Sequence, residues 1–258
     1  MLSILFGLGA ALGWGAGDFT GGLAARKTGA YRAVLYGEIV GIFVLFSAIA
    51  IFGESVPNLE VWLLSMLAGA FGTIGLMLLY QAMTLGLMSI AAPVSALLAA
   101  MLPVFVGAFT EGLPKFSTLI GFGFALFAVW IISQGEGGVT NIRAHLSDLK
   151  LPLLAGIGFG LYFVVMHEAT STGATIWPMV ASRSGGMILI TVYMLFTSAS
   201  WKVEDPSAWP MITINGILDI SGNLFFILAG QAGRLDVAAV LSSLFPGTTV
   251  LLAWIFLK

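Results

Sequence analysis

Nine long apolar runs dominate this chain of 258 residues and leave it one solvent in which to fold. They cover Ser3–Ala24, Arg32–Phe52, Val61–Met83, Ser89–Thr110, Phe116–Ser133, Leu151–Met166, Ile176–Thr197, Trp209–Gly230 and Val237–Leu257. About 20 apolar residues in a helix cross roughly 30 Å of hydrocarbon. The runs are continuously apolar, whereas barrel strands alternate over about ten residues, so helices are expected. Composition enters as a check. Only 9% of the residues are charged and 59% are hydrophobic, against roughly 25% charged in an ordinary soluble domain. Ten Lys and Arg with twelve Asp and Glu cannot clothe a soluble surface. That excludes a soluble globular domain, a disordered tail and a basic nucleic-acid module, and the net charge of −2 offers nucleic acid no footprint. The first run lacks a basic leader and outlasts the apolar core of a signal peptide, so it reads as a retained helix.

Several chemistries are excluded next. The chain has no cysteine and only two histidines, His145 and His167. Disulfides, thiolate zinc sites, iron–sulfur clusters and thiol nucleophiles fall away together. No cofactor, metal site or catalytic residue is expected. No Gly-x-x-x-x-Gly-Lys-Ser/Thr pattern occurs, so ATP-driven pumping has no engine here. The glycines from Gly15 to Gly21 have the wrong spacing for a dinucleotide loop and lie inside a membrane run.

Internal repetition organises the runs. Sliding the chain by 147 residues without gaps pairs Gly9 with Gly156, Gly13 with Gly160, Trp62 with Trp209, Gly69 with Gly216, Gly75 with Gly222 and Ser95 with Ser242. The first unit holds five runs, an odd number, so the second must enter the membrane inverted. Five and an inverted five make ten, and a tenth helix is expected beyond the ninth run. The midpoint is a polar linker, residues 135–150, carrying Glu136, Arg143, His145, Asp148 and Lys150. Loop charges agree with inversion. Arg26, Lys27, Arg32, Arg143, Lys150, Lys202 and Lys258 fall on odd-numbered connections, Lys115 and Arg234 on even ones. The positive-inside rule then puts the loop after the first run in the cytoplasm.

Charges inside apolar runs cost about 2.5–3.5 kcal/mol each at a helix centre, and they turn toward bundle interiors or water. Asp18, Glu38, Arg183 and Asp219 are therefore the pathway candidates, joined by Asn223 four residues after Asp219, and by Tyr80 and Gln81 on the third run. The offset places Arg183 beside the equivalent of Glu38. The two either pair across a central cavity or engage opposite ends of a zwitterionic substrate, and a purely structural ion pair competes with both readings. Asp18 is a candidate for proton exchange, or a capping residue. Gly9, Gly13, Gly17 and Gly21 share one helix face and fit either static packing or a sliding interface. Pro93, Pro103 and Pro246 are expected to bend their helices. Glu111, Asp236 and the pair His167–Glu168 fall at helix ends, where capping or solvation explains them. Trp14, Tyr162 and Phe163 are candidate cavity walls.

The stretch from Trp14 to Lys27, the segment Tyr80–Gly86 leading into Ser89–Val94, and Glu111–Gly112 followed by Gly121 and Gly123 resemble the EamA-type branch of the drug/metabolite transporter superfamily. The resemblance implies an all-α polytopic membrane protein of ten helices in two inverted five-helix repeats, here 1–134 and 151–258, of which nine helices are visible. It also implies transport of small metabolites or amino acids, and both termini in the cytoplasm, against the loop count. The expected activity is that of a secondary permease or exporter in the cytoplasmic (inner) membrane of a prokaryote, working by alternating access. Its expected partners are a small-molecule substrate, the lipid bilayer and protons as coupling ion, with no nucleic acid. Oligomeric state is not legible. The competing classes are a non-transporting or degenerate membrane scaffold and an intramembrane enzyme, for which nucleophile–base and metal-ligand patterns are lacking.

Overall fold

The protein is seen in a computed structural model that describes residues 1–133 and 149–257. The linker charges Glu136, Arg143, His145 and Asp148, and Lys258, lie outside the described residues. The described residues form ten α-helices: α1 (Leu2–Thr28), α2 (Ala30–Phe52), α3 (Leu59–Thr84), α4 (Met88–Thr110), α5 (Phe116–Ser133), α6 (Lys150–Ala169), α7 (Ile176–Phe196), α8 (Trp209–Gln231), α9 (Leu235–Ser242) and α10 (Phe245–Phe256). Each apolar run becomes one helix except the ninth, which α9 and α10 share. Among the described residues eight spans are long and apolar enough to cross a membrane, α9 and α10 counting together.

The connections are short because single residues end the helices. Gly29 at φ +87° separates α1 from α2, and Gly53, left-handed at φ +65°, closes α2. The Asn58 side chain then caps α3 by accepting from the Val61 backbone N–H at 2.9 Å. Pro93 and Pro103 sit within α4, which continues through both as one helix. The interruption falls in the ninth run, at Ser243 and Leu244, with Pro246 in the first turn of α10, where a missing N–H costs nothing.

Glycines set the helix register. Along α1, Gly9 faces Phe225, Gly13 faces Gly222 and Gly17 faces Asp219, so α1 and α8 run antiparallel. Along α3, Gly75 faces Phe159 and Gly72 faces Tyr162, so α3 and α6 are antiparallel too. Two crossings separate α1 from α3, which makes those helices parallel and turns α6 over relative to α1. Inter-half packing is likewise repeated with the halves exchanged. α1 packs on α8 and on α9–α10, as α6 packs on α3 and α4; α2 packs on α8, as α7 packs on α3; and α2 meets α7.

The same contacts correct the gapless alignment. A Cβ on Gly216 would meet the Gly37 carbonyl, and one on Gly69 the Ser182 carbonyl. Gly41 abuts Ile220 as Gly186 abuts Thr73, and Gly222 abuts Trp14 as Gly75 abuts Phe159. For the first two helices of each half the structural offset is thus 145, pairing Gly13 with Gly158, Gly15 with Gly160 and Glu38 with Arg183, while 147 holds for the third. Gly156 and Gly160 consequently face α4, at Leu98 and Leu102, and not the partner that Gly9 and Gly13 meet.

The outer surface is apolar. Phe43, Phe46, Phe52, Phe105, Phe109 and Phe124 are all exposed, whereas Asp18, Glu38 and Arg183 are buried. This inverts the distribution of a soluble protein and suits a bilayer. One end of the bundle carries Glu54, Glu111, Lys115 and Arg234. The other carries Arg26, Lys27, Arg32, Lys150 and Lys202, so the described basic residues segregate as the loop count expected.

Candidate functional site

Six helices bring their polar residues to one cavity between the halves. α1 contributes Trp14 and Asp18, α2 Glu38, α3 Thr73, α6 Tyr162 and Phe163, α7 Ser182 and Arg183, and α8 Asp219 and Asn223; Phe245, at the start of α10, completes the wall. The cavity volume is about 70 Å³. Taking roughly 10–15 Å³ per water on this measure, it holds about five waters, or a small polar group. Glycines make it possible. Gly69 and Gly72 line it directly, and larger residues there would be driven into α7 and α6.

Arg183 is the hub. Its Nη1 donates to Glu38 Oε2 at 2.7 Å, and its Nη2 donates to Asp219 Oδ2. Thr73 Oγ1 donates to the other Glu38 oxygen at 3.2 Å. Asn223 Nδ2 donates to Asp219 Oδ2 at 3.0 Å, and Tyr162 Oη donates to Asn223 Oδ1 at 2.5 Å. Glu38 and Arg183 occupy equivalent positions of the two halves, so the pair lies across the pseudo-two-fold relation. Of the two readings of this couple, the geometry favours pairing across the cavity. Both terminal guanidinium nitrogens are bound to carboxylates, as a buried arginine requires.

Asp18 differs from the other acids. It lines the cavity with 7% of its surface exposed, yet no hydrogen bond or ion pair to it occurs among the described residues. It sits mid-helix, which removes the capping reading. One turn earlier on the same face, Trp14 stacks on Phe163 (centroids 5.4 Å apart) and meets Tyr162 edge-on.

Tyr80 and Gln81 part company. Tyr80 is fully buried beside the cavity, its Oη accepting from Asn215 Nδ2 at 2.8 Å, and the same nitrogen donates to the Gly17 carbonyl at 2.9 Å. Gln81 is exposed and outside the cavity wall, because one residue turns a helix by about 100°. Asn215, Thr73 and Ser182 are the site residues that sequence reasoning missed. Asn215 had a signal: it extends the four-residue spacing of Asp219 and Asn223 by one further turn.

Each end of the bundle is tied by a loop. After α2, the Glu54 carboxylate accepts from the backbone N–H groups of Thr175 and Ile176, both at 2.6 Å, and so caps α7 from the other half. After α7, the Lys202 and Trp201 carbonyls accept from Arg32 Nη1 and Tyr36 Oη, both at 2.6 Å, near the start of α2. Beside them Lys27 reaches Ser207 and Asp205, whose carboxyl is held below its ordinary range chiefly by hydrogen bonding to Ser207. Glu111 accepts from the Leu235 N–H and so caps α9 rather than its own helix. The fully buried Asp236 accepts from Arg234 and the Val237 N–H, consistent with capping. His167 lies 3.8 Å from Glu111, half-buried, while Glu168 is exposed.

The EamA-like transporter family matches residues 1–134 and 148–258. A protein known from a crystal structure shares the fold at a TM-score of 0.76, with 18% identity over 98% of this chain and 89% of that chain. No curated protein matches the sequence.

Proposed function

The chain belongs to the EamA-like transporter family, and on that premise we propose that it is a secondary transporter, a permease or exporter of small polar metabolites or amino acids. As a family member it is an integral membrane transporter of the drug/metabolite superfamily. Two repeats, 1–134 and 151–258 with 135–150 as linker, rock against one another and expose the cavity to each side in turn. The membrane is the cytoplasmic membrane of a prokaryote, with the basic end of the bundle in the cytoplasm.

The observation that carries this reading is the position of the buried ions. Each is expensive inside a bilayer, and a fold gains nothing from gathering three acids and a guanidinium around a void unless something polar passes there. The loops tying each end are related by exchange of the halves, as two gates of an inverted-repeat carrier would be. Release of either tie opens one end while the other stays capped. Protons are the proposed coupling ion.

The test is uptake and efflux in proteoliposomes for a panel of amino acids and small polar metabolites, with and without a proton gradient. The expected result is saturable flux of at least one class that responds to the gradient and drops at least tenfold in Arg183→Ala. No flux of any compound, from protein shown to be folded, supports a non-transporting scaffold instead.

A further inference from the structure

The charge balance of the cavity narrows what it binds. Three carboxylates, Asp18, Glu38 and Asp219, face one guanidinium, Arg183. Arg183 is already engaged by Glu38 and Asp219, so those three groups account for one another, with Thr73 and Asn223 supplying further donors. No cation remains to receive a substrate carboxylate among the described wall residues. Asp18 is left over, and no second basic side chain lines the cavity among the described residues.

A carboxylate with about nine-tenths of its surface buried and no protein donor in reach is costly, and a positive partner relieves that cost. Its surroundings suit an organic cation. Trp14 stands one turn away on the same helix face, and Tyr162, Phe163 and Phe245 line the same cavity. Aromatic faces attract ammonium groups, most strongly where water is excluded. A metal ion is a poorer fit, since the three carboxylates are not gathered closely enough to hold one, nor is any other such group among the described residues. The cavity of about 70 Å³ suits an ammonium head with a short carbon chain.

We propose that Asp18 binds the positively charged end of the substrate, and that the substrate class is a small organic amine bearing no carboxylate. This rests on the transport reading above and narrows it. The ammonium donates to the Asp18 carboxylate, its first carbons lie against Trp14 and Tyr162, and the Arg183 network stays intact throughout. A zwitterion is disfavoured, because its carboxylate would displace Glu38 or Asp219 from Arg183.

The experiment uses the purified full chain in detergent. Thermal stability is titrated with four probes of similar size: propylamine, propanol, butyrate and alanine. The expected result is a saturable rise in Tm with propylamine and none with the other three, and at least a tenfold weaker midpoint in Asp18→Asn. Asp18→Glu, which keeps the charge, is expected to retain the response. Equal or better response to alanine or butyrate overturns the proposal, as does an unchanged amine midpoint in Asp18→Asn or no response to any probe. If Asp18→Asn does not fold, the ranking of the four probes on the natural chain decides. Flux of the same compounds into liposomes separates the two readings. Amine binding without flux sinks the transport reading and leaves amine binding at Asp18 standing; alanine flux without amine binding keeps transport and overturns the amine.

Discussion

Arg183 holds two buried acids from two helices, α2 and α8, so its removal leaves both uncompensated. Removing one partner of a buried ion pair costs about 3–5 kcal/mol. Arg183→Ala is therefore expected to lower the thermal unfolding temperature in detergent strongly, and Glu38→Gln added to it should return part of the loss. An Arg183→Ala protein as stable as the natural chain would show that the network is solvated rather than structural. These ions were legible in the sequence because charge inside an apolar run is expensive and therefore conspicuous. Asn215 and Thr73 were not, since neutral polar residues are ordinary glue between membrane helices and do not announce a cavity. Glu54 read as loop punctuation, because its partners at Thr175 and Ile176 lie more than a hundred residues away.

Among the helices, glycine decides how closely two can approach. A Cβ on Gly13 would stand 2.8 Å from the Gly222 nitrogen, and one on its counterpart Gly158 would stand 2.9 Å from the Phe71 carbonyl oxygen. Backbone cannot swing aside as a side chain can, so Gly13→Ala and Gly158→Ala should each destabilise by about 1–3 kcal/mol. Gly121→Ala on α5 meets open space and should be neutral or mildly stabilising. The check is the same melting assay, and equal effects at all three positions would contradict the packing described. The spacing of the glycines was readable from the chain, but their partners were not. Gly156 and Gly160 look like copies of Gly9 and Gly13 in an ungapped alignment, yet they meet α4. The connection between α7 and α8 runs longer than that between α2 and α3, and it absorbs two residues that a gapless comparison places inside the helices.

At the scale of the whole molecule, all-helical architecture and inversion followed from counting alone, since five crossings are an odd number. The cavity between the halves did not, because its walls come from six helices whose rotations about their axes no periodicity specified. Transport by this fold requires that the cavity open to each side of the membrane in turn. The chain has no cysteine, so Ser182→Cys, on the cavity wall, supplies a single reporter. A membrane-impermeant thiol reagent is applied to the outside or the inside of oriented vesicles, with and without substrate. Labelling is expected from both sides, with substrate or a gradient changing the ratio of the two rates. Labelling from one side only under every condition, or from neither, would contradict it.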